Sequence, residues 1–374
     1  MSVSSVGREE QSFPAETFDL EAILARISAG ASARDAHPSF PEDPFERLAP
    51  TGALAIPVPD PIGNQGRRAS FAEEWRVLRA VAGADGSVGR ILDGHFNGVE
   101  RVSLLAPEPL RSRELEVIAA GKHLLGVWGA DQIPGEGEPA RLVQDEGGAR
   151  LIGVKTFCSG ATGLDRALIL AHGPTQRPPL LAYVDLSEGV KVDTAWFKAA
   201  GMRASESHRV VFEGAPVLAV LGEPGELLRE PYLSRDAIRT AVTWAGISDT
   251  AVDAALDVLA AKAGDGGPDD VVSLAAGRML TARGTIDSWL AYASDRADAD
   301  PASLPGISTQ LRESVARSCR EILDEASRAV GSHPFAVSGP LDRARRDLGL
   351  FLLQHRLEPA LVQRGRQAIS DRRP

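Results

Sequence analysis

Apolar residues follow two rhythms along this chain. Near the start, Leu20, Ile23, Leu24 and Ile27 recur every three or four positions, the spacing of one helix face over 18–27. Pro38, Pro41 and Pro44 interrupt that rhythm, and Pro50, Pro57, Pro59 and Pro61 mark a loop. Phe71, Trp75, Leu78 and Val81 predict a helix over 71–82. Val88, Ile91, Leu92, His95 and Phe96 predict another over 86–102. From about residue 120 the pattern changes to short apolar runs between Gly, Pro and charged turns. Segments 150–158, 167–172, 180–186 and 209–213 predict strands of a compact antiparallel β domain. Beyond about residue 231 the helical rhythm returns. Val272, Ala275, Met279, Ala282, Ile286, Leu290 and Ala293 form one stripe, and Leu311, Val315, Cys319, Ile322, Ala326 and Ala329 a second. Leu341, Ala344, Leu348, Phe351 and His355 form a third, with breaks at 264–270 and 297–306. Such a succession of amphipathic helices predicts a bundle. The expected fold class is therefore α+β in three domains: N-terminal helices over 1–118, an antiparallel β domain over 119–228 and a C-terminal four-helix bundle over 229–374.

Composition narrows the function. With 374 residues, 43% of them hydrophobic, the chain can bury a sizeable core. Its net charge of -10 argues against a nucleic-acid or anionic-membrane surface as the main partner. No run of 18 apolar residues predicts a membrane span. The first dozen residues are polar and lack a signal-peptide core. Two cysteines, Cys158 and Cys319, make no disulfide framework, so a cytoplasmic location is the expectation. Familiar catalytic signatures are missing: no P-loop, no strand-flanked dinucleotide glycines, no HExxH and no nucleophile elbow. Gly83, Gly86 and Gly89 have some glycine spacing, but no predicted strand precedes them. The seven scattered His residues give no reason to expect a metal.

Several short motifs occur in a telling order. Gly153-Val154-Lys155-Thr156-Phe157-Cys158-Ser159-Gly160 reads G-x-K-x-[WF]-x-[ST]-[NG]. About forty residues on, Gly201-Met202-Arg203-Ala204-Ser205 reads G-[ML]-R-x-[ST], followed by a predicted strand and Ala215-Pro216-Val217. Near the C-terminus, Val330-Gly331-Ser332 forms a glycine turn, and Pro340-Leu341-Asp342-Arg343-Ala344-Arg345-Arg346-Asp347 reads P-L-x-R-x-x-R-D. Asp85-Gly86-Ser87 lies upstream of them all. In this order, and with helices, strands and helices in succession, the chain resembles the acyl-CoA dehydrogenase superfamily of flavoproteins over nearly its whole length.

The resemblance implies a flavin between the β domain and the bundle. Phe157 would stand behind the ring and Ser159 near N5, where an aromatic wall keeps out water and a donor favours the electron-rich reduced ring. By residue type alone, Phe157 reads as a core aromatic and Ser159 as a turn residue. Trp128 reads equally as a flavin neighbour or a core aromatic. The resemblance also assigns Gly331 to the cofactor and Ser205 and Arg239 to the substrate; read without it, Arg239 is a solvated helix charge. FAD is the family's usual flavin. Here the stretch Val127-Trp128-Gly129-Ala130-Asp131 replaces the family's T-E-x-x-x-G-S-D loop, and Lys262-Ala263-Gly264-Asp265-Gly266-Gly267 replaces its Arg-x-x-Phe-Gly segment. FMN or transient reduced flavin therefore stand as alternatives to FAD.

The family's catalytic carboxylates are also replaced. One branch places its base eight residues after the R-D pair, where this chain has His355. A second branch places it where this chain has Arg239 and Thr240. His in the last helix is a feature of the flavin monooxygenase branch. Three readings follow. The leading one is hydride transfer from an acyl substrate, such as an acyl thioester, to flavin, with His355 as base. The alternatives are a two-component monooxygenase fed by a flavin reductase, and a flavin- or acyl-binding protein without turnover. The resemblance further implies a homo-dimer or homo-tetramer packed through the bundle.

His355 is the sharpest of these expectations, because burial beside Leu352 and Leu353 would keep its imidazole neutral, as a base requires. The expected result for His355→Ala is normal flavin binding with turnover lower by about 10²–10⁴, the usual worth of a general base. Full activity in steady-state assays of that variant would remove the assignment.

Overall fold

The computed structural model describes residues 19–60, 68–173, 178–263, 266–354 and 357–372. Five helices come first: α1 (Leu20–Ala36), α2 (Glu42–Leu48), α3 (Phe71–Ala84), α4 (Gly86–Leu105) and α5 (Leu110–Ala119). Helix α1 runs well past the apolar repeat that predicts it, carried onward by Ala and Ser, with Ile27 and Ala31 buried. Helix α3 opens with a side-chain cap: Ser70 Oγ accepts from the Glu73 N–H at 3.2 Å. Helix α4 follows after a single residue. Asp85 closes α3 and caps α4, its carboxylate accepting from the N–H groups of Ser87 and Val88 at 2.9 and 3.3 Å. Phe18, Pro61 and Gly264 of the expected elements lie outside the described residues.

Seven strands follow: β1 (Leu125–Trp128), β2 (Arg141–Asp145), β3 (Gly148–Cys158), β4 (Arg166–Ala171), β5 (Leu180–Asp185), β6 (Val190–Asp193) and β7 (His208–Leu221). Their order is β1-β4-β5-β7-β3-β2, with β6 also paired to β7. The sheet is antiparallel except for β1 against β4, which are parallel. The strand expected at 209–213 is the first part of a longer one. Gly214 takes φ +98° in its middle. The first part of β7 pairs with β3 and β6, and its far end pairs with β5. One strand thus stitches the two parts of the sheet together.

The chain then returns to helix: α6 (Tyr232–Ala263), α7 (Asp270–Ala299), α8 (Leu304–Val330), α9 (His333–Ala336), α10 (Pro340–Phe351) and α11 (Glu358–Ser370). The stripes read from the sequence on α7 and α8 are buried except for Val272 and Ala329, which are half-buried. Helices α3 and α4 pack against α6, and one apolar core runs from Trp75 and Leu78 through Trp244 to Leu311 and Cys319. The α3–α6 approach is close enough that a Cβ on Gly246 would sit 2.2 Å from the Arg79 carbonyl oxygen. The third stripe is shorter than its spacing implies. Helix α10 ends at Phe351 and gives way to a turn, so a shared helix face does not extend from Leu341 to position 355. His355 itself lies outside the described residues. No described helix is long and apolar enough to cross a membrane.

Where α3, α4 and α6 meet, charge is buried. Arg239 on α6 donates to Glu74 Oε1 at 2.7 Å, to Glu100 Oε2 at 2.7 Å and to Asn97 Oδ1 at 3.0 Å. Arg68 also pairs with Glu74. Burial would raise the Glu100 carboxyl, but the guanidinia of Arg239, Arg235 and Arg68 outweigh it and hold the group at about 2. Every partner is needed, because one removed charge leaves another buried and uncompensated.

Helix α10 is bolted to the β domain. The carboxylate of Asp347 accepts the Met202 N–H, and a Cβ on Gly201 would sit 2.1 Å from the Arg346 carbonyl oxygen. Arg346 adds bonds to Asp35 on α1 and to the Ala200 carbonyl. Burial raises the Asp347 carboxyl to about 7; Asp85 and Asp35 add to the rise, while the Met202 N–H and Arg343 oppose it. Its unfolded value is 3.8. The folded form thus keeps a proton that the unfolded chain has already lost. The stability this supplies is full below about pH 4 and falls away as pH rises to about 7. The expected result is that Asp347→Asn gains on the wild type by roughly 2–4 kcal/mol between pH 4 and pH 8 in urea unfolding. A pH-independent difference between the two proteins would contradict the assignment.

Candidate functional site

The end of β3 and the loop before β7 build one wall of a cleft, and the helices supply the other. Lys155 starts the construction. Its buried Nζ binds Asp131 Oδ1 at 2.7 Å. Thr156 adds an N–H bond to the Ala130 carbonyl at 3.2 Å and a hydroxyl bond to the Asp131 carbonyl at 2.9 Å. These contacts fix the segment after β1. Trp128 sits beneath it, buried, and donates Nε1–H to the Ser159 carbonyl at 3.1 Å. The sequence leaves Trp128 as either a flavin neighbour or a core aromatic. Its ring packs inside near Phe212, and its polar edge holds the Ser159 turn.

Phe157 departs from the core reading. It is 55% exposed and takes φ +52°, a left-handed conformation costly for an aromatic residue. Its ring meets Trp196 edge to face, with centroids 5.0 Å apart. Met202 and Glu206 take φ +55° and +47°, and they are the other left-handed residues besides glycine among the described ones. They bracket the turn that presents Ser205, and Ser207 follows directly after it. The Ser159 hydroxyl lies 2.9 Å from that of Ser207, which lies 2.8 Å from that of Ser205. The Gly160 N–H donates to the Ser205 carbonyl at 2.8 Å and so joins the β3 turn to this loop. Phe157 and Met202 border one cavity of about 400 Å³. Strain of this kind, held by its surroundings, marks functional sites.

Phe157, Ser159, Ser205, Ser207 and Met202 form its sheet side, together with Val127, Gly129 and Ala130. Leu350, Phe351, Leu353 and Gln354, at the end of α10, and Arg90 on α4 form its helical side. Among the described residues no carboxylate lines it. A second, larger cleft of about 1200 Å³ shares Phe197 with it and is lined by Lys198, Arg203, Glu206, His208 and Arg346.

The structure brings Phe157, Ser159 and Ser205 together at this cavity, with Trp128 directly behind. Two expected residues stand elsewhere. Arg239 is fully buried, and its donors are taken by Glu74, Asn97 and Glu100, so its charge serves the helix junction. Gly331 caps the end of α8 at φ +74° and does not line the cavity. Arg90, Ser207, Lys155 and Thr156 were not singled out by sequence as site residues. The K-x-F-x-S spacing does carry a signal for Lys155, two residues from the exposed ring. Among the described residues, no three His, Cys, Asp or Glu side chains are grouped to hold a metal.

No protein-family model matches the chain. The dibenzothiophene monooxygenase of Mycolicibacterium goodii is 28% identical over 221 residues, which are 57% of this chain and 50% of that protein. The match thus spans about half the length of that relative. The L-evernosamine nitrososynthase of Micromonospora sp. is 26% identical over 368 residues, covering 88% of this chain and 83% of that one. FMN-bound TdsC from Paenibacillus sp. A11-2 superposes with a TM-score of 0.82 at 19% identity, covering 94% of this chain and 96% of that one. The α+β architecture, helices before and after a mostly antiparallel sheet, is that of the acyl-CoA dehydrogenase-like fold.

Proposed function

We propose that this chain is a flavin-dependent monooxygenase that uses reduced flavin, with FMN as the flavin and a separate reductase as its source. One observation carries the reading: a strained, exposed Phe157 beside a chain of three serine hydroxyls, in a cavity without a carboxylate among its described lining. Abstracting the α-proton of an acyl thioester needs a base at the cavity. Oxygen transfer needs dryness and hydrogen bonds instead. The relatives point the same way, since they carry the names of a monooxygenase and a nitrososynthase. The oxygenase reading is therefore preferred to hydride transfer from an acyl substrate, and FMN to FAD.

The cavity fits such a group. At about 400 Å³ it is of ligand-binding size, with one exposed aromatic face and few polar groups. Phe157, Ser159 and the segment from Val127 to Ala130 would hold the ring. When bound, reduced flavin supplies electrons to dioxygen, the chemistry that the protein itself lacks. The protein's own parts are simpler. Phe157, Leu350 and Phe351 keep water out. Ser159 presents a hydroxyl whose orientation is set by Ser207, and Ser205 extends the chain, so a proton can pass along three oxygens. His355 directly follows Gln354, a lining residue, in sequence, and we assign it to this site without a base role in the oxygenase reading.

The test is fluorescence titration with FMN and FAD, oxidised and anaerobically reduced. Reduced FMN is expected to bind, and Ser159→Ala to weaken it about tenfold, the worth of one hydrogen bond to a charged group. If neither flavin binds in either state, the proposal fails. If oxidised FAD binds tightly and an acyl thioester bleaches it without oxygen, the dehydrogenase reading returns.

A further inference from the structure

The cavity's helical wall holds more positive charge than it balances. Arg90 on α4 lines the cavity, with its guanidinium 5.6 Å from the centre of the Phe351 ring. It gives Nη1 to Asp93 Oδ2 at 2.7 Å. Its Nε and Nη2 donors have no acceptor among the described residues. Asp93 is the carboxylate that balances it, and Asp93 is already engaged: Asn97 donates to it at 3.1 Å and the Thr240 hydroxyl approaches at 3.3 Å. Burial also pushes the Asp93 carboxyl up, toward its neutral form.

A second guanidinium stands against the same pair of aromatic rings. Arg312 on α8 lies 5.7 Å from the Trp244 ring, and Trp244 meets Phe351 edge to face at 6.0 Å. The Nε and Nη2 of Arg312 are buried and make no hydrogen bond among the described residues. Burial lowers its pKa to about 10, with Asp93 as the opposing influence, so it stays charged at neutral pH. The nearby Arg239 is neutralised by Glu74 and Glu100. Two guanidinia therefore face one carboxylate. The Arg90 side chain is 13% exposed, so its remaining donors are open to a ligand, and an arriving anion would also offset the buried Arg312 charge.

We propose that the cavity takes a substrate with one negative charge, a carboxylate or sulfur oxyanion on an apolar body, and that Arg90 receives that charge. The apolar body would lie against Leu350, Phe351 and Val127. Asp93 orients the Arg90 fork, and Arg312 supplies its field without touching the ligand. The word substrate rests on the oxygenase reading above; the anion site does not. The phosphate of FMN is the other source of such an anion, and the experiment separates the two.

Calorimetry would compare phenylacetate with its neutral counterpart phenylacetamide, on flavin-free and on FMN-saturated protein. FMN and riboflavin would be titrated in parallel into wild type, Arg90→Gln and Arg90→Lys. The wild type is expected to prefer phenylacetate about tenfold or more, as one charge-assisted bond predicts. Arg90→Gln should abolish the preference, Arg90→Lys should keep part of it, and neither should change flavin affinity. Absent phenylacetate binding, or equal affinity for acid and amide in the wild type, overturns the proposal even if the variants do not fold. A loss of FMN but not riboflavin affinity in Arg90→Gln would assign the site to the flavin phosphate and overturn it too. If no flavin binds any protein, the oxygenase reading fails, while the flavin-free phenylacetate titration still decides the anion site.

Discussion

The cleft exists because a loop of the β domain is clamped to a helix of the bundle. Asp347 takes the Met202 N–H, and Gly201 lies against the Arg346 carbonyl with no room for a side chain. That grip holds Met202 in a left-handed conformation, and the loop beyond it presents Ser205 and Ser207. Ser207 in turn orients Ser159. The P-L-x-R-x-x-R-D segment is thus a fastening: Arg346 reaches Asp35 and the Ala200 carbonyl from the same turn of helix. Loosening it would relax the strain that aims Phe157 and the hydroxyls.

Arginine does two opposite jobs in this molecule, and the difference lies in the accounting of acceptors. Each of the three Arg239 guanidinium nitrogens finds an acceptor on α3 or α4, which joins those helices to α6. Arg90 gives one nitrogen to Asp93 and borders a cavity, while the buried Nε and Nη2 of Arg312 have no acceptor among the described residues. A guanidinium whose nitrogens are all bonded inside the protein contributes structure, whereas one with donors open at a cavity wall can receive a charge. Residue type alone does not distinguish them.

That is also where sequence reading stopped. Helical stripes on α7 and α8 were plain because their buried faces repeat over many turns. Strands β3, β4 and β5 stood out as apolar runs. Strands β1, β2 and β6 are four or five residues long and gave no comparable pattern, as short strands with mixed burial do not. Phe157, Ser159 and Ser205, which motif order singles out, line one cavity. Arg239 was misread because Glu74 and Glu100 lie 165 and 139 residues away, and burial by distant partners leaves no local trace. Arg90 was overlooked inside an apolar, glycine-rich stretch; Asp93, three residues on, was its one local signal. The third stripe suggested a helix through position 355, but a periodic pattern does not tell where a helix ends.

The proposed oxygenase chemistry needs a flavin ring lying against Phe157 and Ser159. The most direct measurement is a crystal structure of the protein soaked with FMN. The predicted result is ring density in the cavity between the end of β3 and the end of α10, in contact with both residues. FMN bound elsewhere on the chain, with this cavity empty, would contradict it.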